Sequence, residues 1–206
     1  RTWQAPPRSR RPWTSVLSEF GRTDVLVNAA GVIGAAGWED RPTAKEMDWD
    51  VTYDVNVRGT VIACNVVSRH MKGRKTGKIV NISSHGGRSG SANNSAYGAS
   101  KAAVIHLTQS YALELAPYDI NVNAICPGSL WTPMHERFVK RIRRNDPAKS
   151  HMTLRQIFDQ RIQELCPLGR EQTPEDIGKA VAFFASDEAV NITGQALNVN
   201  GGTRMD

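Results

Sequence analysis

Two hydrophobic periods alternate along this chain. Short apolar runs, Asp24-Val25-Leu26-Val27-Asn28 and Lys78-Ile79-Val80-Asn81-Ile82, are nearly continuous, as in strands buried on both faces of a parallel sheet. A third run, Ile120 to Ile125, alternates in part, and a fourth, Ala196 to Val199, precedes Gly201-Gly202. Between them lie stretches with helical spacing. Thr14 to Phe20 reads as the end of a helix closed by Gly21. Thr43 is placed to cap a helix over 44–51, and a longer one follows to about Met71 with Val57, Val61, Ile62, Val66 and Val67 on its apolar face. Tyr97 to Ala116 is apolar on more than one side and ends at Pro117. Two amphipathic pieces, around 134–144 and 153–165, precede Thr173-Pro174-Glu175-Asp176, which joins a cap, a proline at the first helical position and acids in the first turn. Strands alternating with helices predict an α/β fold with a parallel sheet near 25–28, 78–83, 120–125 and 195–199.

Chemistry concentrates where the second strand ends. Ser83 and Ser84 stand at its exit, suited to hydrogen-bond a substrate oxygen, and a loop rich in Gly, Ser and Asn follows, from His85 to Ala96. Such strand exits are where open α/β sheets place their ligands. Tyr97 and Lys101 are four apart and share one helix face. An ammonium beside a phenol favours the phenolate, so the pair is expected to lower the tyrosine pKa into the range of a general acid/base.

Ser84, Tyr97 and Lys101 with this spacing resemble the catalytic core of the short-chain dehydrogenase/reductase family. Four further segments match in the same order: Asn28-Ala29-Ala30-Gly31, Asn56 within Tyr53-Asp54-Val55-Asn56-Val57, Pro127-Gly128 with Thr132, and Ile192-Thr193-Gly194-Gln195 before Asn200-Gly201-Gly202. The resemblance runs from about Thr14 to Thr203. It implies a Rossmann-like, doubly wound three-layer αβα fold and hydride exchange between NAD or NADP and a secondary alcohol or ketone. Tyr97 is implied as proton donor and acceptor, Ser84 as the group polarising the substrate oxygen, and Asn56 as the member that distorts its helix and holds a relay water. Lys101 is implied to bind the nicotinamide ribose as well as to tune Tyr97. Asn28, Ala29, Gly31, Pro127, Gly128, Leu130 and Thr132 are implied at the cofactor. Residues 134–167 correspond to the family's substrate lid, and the central helix to a surface that meets a second subunit in a homo-oligomer. A non-catalytic binding or scaffold relative of the same fold is the competing class, and the intact Ser84, Tyr97 and Lys101 argue against it.

The resemblance also implies what stands before Thr14: two strand–helix units and a third strand, with a glycine-rich loop that seats the pyrophosphate on a helix N-terminus. This sequence has instead residues 1–13, RTWQAPPRSRRPW, with three prolines and no apolar period. They read as a disordered or non-native segment before a catalytic portion over 14–206. The expected result is an N-terminally truncated sheet whose strand 25–28 has an uncovered edge, and weak dinucleotide binding.

The net charge of +6 does not redirect this picture. Arg1, Arg8, Arg10 and Arg11 carry most of the excess, and neither they nor the run Lys140 to Arg144 is interleaved with stacking aromatics, which argues against a nucleic-acid surface. Arg141, Arg143, Arg144, Arg155 and Arg161 either meet an anionic substrate or form a solvated helix face. With 40% hydrophobic and 22% charged residues the composition is that of a globular domain, and no apolar run is long enough for a membrane span. Cys64, Cys126 and Cys166 are widely spaced, as for reduced thiols, and no metal-ligand cluster is readable. Cytoplasm is the expected location, and a small alcohol or ketone the expected partner.

Overall fold

The computed structural model describes residues 11–91 and 95–206, with only the backbone described for 11–14. The element order is α1 (Arg11–Phe20), β1 (Val25–Asn28), α2 (Glu46–Tyr53), α3 (Gly59–Arg74), β2 (Gly77–Ile82), α4 (Ser95–Leu115), β3 (Ile120–Pro127), α5 (Pro133–Asn145), α6 (Leu154–Leu165), α7 (Pro174–Ala185) and β4 (Ala196–Val199). All four strands are parallel, in the order β1-β2-β3-β4, with Asn28 opposite Asn81 and Ile82 opposite Ile125. This is the expected Rossmann-like α/β sheet. The expected disordered segment falls on residues 1–10, outside the described residues, and on 11–13, which already belong to α1.

The sheet is covered on both faces, as its near-continuous apolar strands require. On one face, Leu26, Ile79 and Val122 pack with Cys64, Val67 and Met71 of α3 and Tyr111 and Leu115 of α4. On the other, Val80 and Ile125 pack with Ile177 and Phe184 of α7. Every residue of β3 from Ile120 to Cys126 is buried. At β1 the cover is one-sided: Leu26 is buried while Val25 and Val27 are exposed, and among the described residues β1 pairs with β2 alone. That is the uncovered edge anticipated for this strand.

Several boundaries differ from the reading by pattern. Thr43 does not cap α2; Lys45 takes that position, because the Asp48 carboxylate accepts from the Lys45 amide at 2.9 Å. Of the two helices expected over 44–51 and on to about Met71, the first runs to Tyr53, and a π-helical turn, Asp54–Arg58, stands between it and α3, which ends at Arg74. The loop expected up to Ala96 gives way earlier, since α4 starts at Ser95, and residues 92–94 of that loop lie outside the described residues. The two lid pieces form as α5 and α6, and their apolar stripes close on each other through Val139, Ile157, Phe158 and Ile162. Thr173 caps α7 by accepting from the Asp176 amide, and Asp176 returns the bond to Thr173.

Candidate active site

The site residues sit where β1, β2 and β3 end. After β2 the chain passes Ser83 and Ser84 into a 3-10 turn, His85–Gly87, pressed against α4. Gly87 makes this approach possible: a Cβ there would lie 2.7 Å from the Lys101 carbonyl carbon and 2.8 Å from the Ala102 nitrogen, closer than real Cβ atoms come. The turn therefore holds Ser84 at a fixed distance from the helix that carries Tyr97 and Lys101.

The two serines divide their roles. Ser83, expected to be free for a substrate oxygen, is instead buried and donates to the Lys101 carbonyl at 2.8 Å. Ser84 accepts from the Gly86 amide at 3.1 Å and faces the Tyr97 phenol, so its hydroxyl is the one available to a substrate. Lys101 is 4% exposed, its ammonium donating to the Ile82 carbonyl at 2.8 Å and lying 5.6 Å from the Tyr97 ring centroid.

The electrostatics differ from the sequence expectation. Burial pushes the Tyr97 phenol above its usual value, and the facing Ser84 hydroxyl only partly offsets this. Lys101 is not among the groups that shift it. Burial acts on the lysine too, pushing its ammonium down to about 8. In the protein alone, then, Tyr97 is a protonated phenol at neutral pH, and Lys101 is a strained cation without a carboxylate partner among the described residues.

Asn56 lies in the π turn, 1% exposed. Its Oδ1 accepts from the Val32 amide at 2.8 Å, and its Nδ2 donates to the Val32 carbonyl at 2.9 Å and to Ser100 Oγ at 2.9 Å. Ser100 Oγ in turn donates to the Tyr97 carbonyl at 2.7 Å. The helix distortion expected at Asn56 is present, and its side chain ties the loop after β1 to the first turns of α4. Ser100 was not singled out from the sequence; its position three residues after Tyr97 is the signal that could have found it, whereas its contact with Asn56 is visible only in the fold.

Asn28 donates to Asn81 Oδ1 at 2.8 Å, and Asn81 donates to Thr108 Oγ1 at 2.9 Å, a polar chain that fixes the end of β1 to β2 and α4. Beyond it Ala29 and Ala30 are exposed, and Gly31 passes close over Lys101: a Cβ at Gly31 would lie 3.3 Å from Lys101 Nζ and 3.6 Å from Asn56 Oδ1. This strand end is an open shelf of small residues beside an uncompensated ammonium, which suits a nicotinamide nucleotide bearing hydroxyl groups. At the end of β3, Gly128 donates to the Val199 carbonyl at 3.0 Å and packs so close to Asn200 that a Cβ would meet its Cα at 2.8 Å. Pro127 is the last residue of the strand, and Leu130 packs under the sheet with Val80 and Ile125. The Thr132 oxygen accepts from the His135 amide at 3.3 Å as the cap of α5, which leaves its hydroxyl proton for a ligand.

The lid arginines take different partners, and Arg143 makes no ion pair among the described residues. Arg155 pairs with Asp159 and Glu171, Arg144 with Asp40, and Arg141 is buried against Trp38 and donates to the Pro42 carbonyl at 2.8 Å. Arg161 makes no ion pair among the described residues and lies over the Phe138 ring at 5.8 Å. His106 is exposed on α4, Trp49 is a surface residue stacked on Tyr53, and the three cysteines are free and buried. No helix of the described residues is long and apolar enough to cross a membrane.

Comparison with known proteins agrees with this fold. A family model described as enoyl-(acyl carrier protein) reductase matches residues 10–204. The chain is 37% identical over 187 residues to the 3-oxoacyl-[acyl-carrier-protein] reductase FabG of Thermotoga maritima, covering 91% of this chain and 68% of that protein. Among solved structures, sorbitol-6-phosphate 2-dehydrogenase SrlD from Erwinia amylovora superposes with a TM-score of 0.84 at 32% identity, covering 96% of this chain and 75% of that one. An NAD+-bound xylitol dehydrogenase gives 0.80 at 35%, covering 94% and 74%. The chain is a member of the short-chain dehydrogenase/reductase family of oxidoreductases.

Proposed function

We propose that this chain interconverts a secondary alcohol and a ketone with a nicotinamide cofactor, Tyr97 serving as the proton donor and acceptor. The observation that carries the reading is the meeting of the Ser84 hydroxyl, the Tyr97 phenol and the buried, unpaired Lys101 ammonium at the exit of β2. The bound nicotinamide would supply the hydride in reduction and accept it in oxidation.

The chain's own residues account for the proton. Ser84 donates to the ketone oxygen and polarises it. Tyr97, protonated at neutral pH, gives its proton to that oxygen as negative charge develops, general acid catalysis worth about 10²–10⁴ in rate. In the reverse direction the phenol must lose its proton, and the nearby Lys101 ammonium stabilises the resulting phenolate while it remains charged. Asn56 acts through Ser100 and Val32, holding the Tyr97 turn and the loop after β1 in register. Ala29, Gly31 and Lys101 line the shelf for the ribose and nicotinamide, with Asn28 fixing its floor and Pro127, Gly128, Leu130 and Thr132 forming the opposite wall. We assign α5 and α6 the role of the substrate lid, whose closure would exclude water from the reaction. Assembly into a homo-oligomer fits the outer face of α4, where Leu113 is 81% exposed.

The test is turnover of a panel of ketones and secondary alcohols with NADH, NADPH and their oxidised forms, in wild type and Ser84→Ala. Turnover by wild type, lowered about 100-fold by the substitution, supports the reading. No turnover of any member with either cofactor refutes it.

A further inference from the structure

We propose that the lid is held down by an ionic latch: the basic face of α5 seats on the turn 38–42, and α5 and α6 leave that seat together when its ion pairs break. The proposal rests on the reading of α5 and α6 as the substrate lid. Arg137, Lys140, Arg141 and Arg144 recur at helical spacing, so they line one side of α5. All four engage the same short segment. Arg137 holds both Glu39 carboxylate oxygens, through Nε at 2.9 Å and Nη2 at 2.7 Å, a two-pronged pair. Lys140 lies 3.6 Å from the Asp40 carboxylate and Arg144 lies 3.4 Å from it, and Arg144 also donates to the Asp40 carbonyl. Arg141 donates to the Pro42 carbonyl at 2.8 Å. The guanidinium groups of Arg137 and Arg141 lie over the buried Trp38 ring at 5.7 and 6.0 Å.

The other side of α5 is apolar and belongs to the lid. Val139 and Ile142 pack with Ile157, Phe158 and Ile162 of α6, in a cluster separate from the two that cover the sheet. Outside the lid, α5 packs mainly on the turn Trp38–Asp40. Hydrophobic burial therefore joins α5 to α6, whereas charge joins that pair to the turn.

The seat itself is fixed. Buried Asp48 accepts from the Ala35 amide at 2.9 Å and from Arg41 Nε at 3.1 Å, and Arg41 donates on to the Ala35 and Ala36 carbonyls at 3.2 and 3.1 Å. A Cβ on Gly34 would meet Asp48 Oδ1 at 2.7 Å and the Trp38 Cβ at 2.8 Å, so the turn has no slack against α2. A fixed acidic seat thus faces a helix that has its own core, and the ion pairs between them can break without opening either core. The latch also lies beside the reaction centre. A gap with room for about one water is lined by Trp38, Asp48 and Arg141 together with Ser95 and Ala96, the residues directly before Tyr97.

The cations of the row are exposed, so dissolved salt screens their pairs. Pairs of this kind each shift an equilibrium by up to about 5-fold, and the row together by roughly 10–100-fold. Amide hydrogen exchange, read by mass spectrometry at pH 7, compares the wild-type chain with Glu39→Gln/Asp40→Asn. Protection of α5 and α6 should fall by roughly 10–100-fold in the double variant, and also in wild type as KCl rises from about 0.02 to about 0.5 M, while α3, α4 and α7 keep theirs. Salt should add little to the double variant. The charge-swapped chain Glu39→Arg/Arg137→Glu should regain much of the protection that either single swap loses, which a mere loss of packing would not give. Protection of α5 that neither salt nor the double variant changes overturns the latch. So does an equal loss in α3, α4 and α7, the mark of general unfolding rather than lid release.

Turnover of an uncharged ketone in the same variants separates the latch from the lid reading. KM should rise about 3-fold or more with a smaller change in kcat, because a loosened lid lets substrate leave before it reacts. Release of α5 and α6 with KM and kcat both unmoved leaves the latch standing and refutes their role as substrate lid. If wild type reduces no ketone, the hydride-transfer reading fails, and hydrogen exchange still decides the latch.

Discussion

Replacing Asn56 with alanine removes three hydrogen bonds at a position that is 1% exposed, two to Val32 and one to Ser100. Buried bonds of this kind contribute about 0.5–1.5 kcal/mol each, and leaving a buried partner unsatisfied costs about 1–3 kcal/mol. Ser100 keeps its bond to the Tyr97 carbonyl, but the Val32 amide and carbonyl both lose their partner. The expected loss is about 3 kcal/mol, or roughly a hundredfold in the folding equilibrium. Urea denaturation at pH 7, read by linear extrapolation, measures it. Asn56→Asp serves as the companion: it keeps the acceptor for Val32 N–H, loses both donors, and places a carboxylate beside Lys101, whose pKa should rise from about 8. Both variants should lose activity by loosening the turn that carries Tyr97. An Asn56→Ala protein within about 0.5 kcal/mol of wild type would show that this side chain does not fasten the β1 loop to α4.

Three other substitutions probe separate parts of the account. Lys101→Met should abolish turnover while raising stability by about 2 kcal/mol at pH 7, since the depressed ammonium costs roughly 1.4 kcal/mol per pKa unit, offset by the lost bond to Ile82. That gain should shrink as pH rises from about 8 toward the unfolded value near 10.4, because the buried lysine then folds uncharged. Gly87→Ala should force the serine turn away from the α4 backbone, costing about 1–3 kcal/mol in urea denaturation and lowering kcat more than cofactor affinity. His135, held near 4 against an unfolded value near 6.5, makes the fold lose stability as pH falls through that window, because the unfolded state binds the proton first. His135→Gln should remove up to roughly 3 kcal/mol of that acid sensitivity, seen as a flatter melting temperature between about pH 6.5 and 4.

How much of this was legible beforehand depends on whether the information was local. The four strands, the lid helices and the Thr173-Pro174-Glu175-Asp176 start of α7 follow from periodicity and capping chemistry within a few residues, and the structure reproduces them. Ser84, Tyr97 and Lys101 were legible as a spacing on a strand exit and a helix face. What each polar group bonds to was not, because the partners come from distant segments. Ser83 is spent on the Lys101 carbonyl, the Thr132 oxygen on capping α5, and Asn56 on Val32 and Ser100. The direction of the Tyr97 shift was not legible for the same reason: helix spacing places an ammonium near a phenol, but only packing shows how deeply the phenol is buried, and burial raises its pKa. The five lid arginines look alike in sequence, and only the folded lid shows Arg155 paired with Asp159 and Glu171, Arg144 with Asp40, and Arg161 laid over the Phe138 ring.

The most direct trial of the account follows deuterium from the reactive carbon of a labelled nicotinamide into the carbinol carbon of the product, in wild type and in Tyr97→Phe, with cofactor affinity titrated in the same samples. The account predicts label transfer by wild type, a drop of at least about 100-fold in Tyr97→Phe, and similar cofactor affinity in both. Transfer by Tyr97→Phe at the wild-type rate would contradict it.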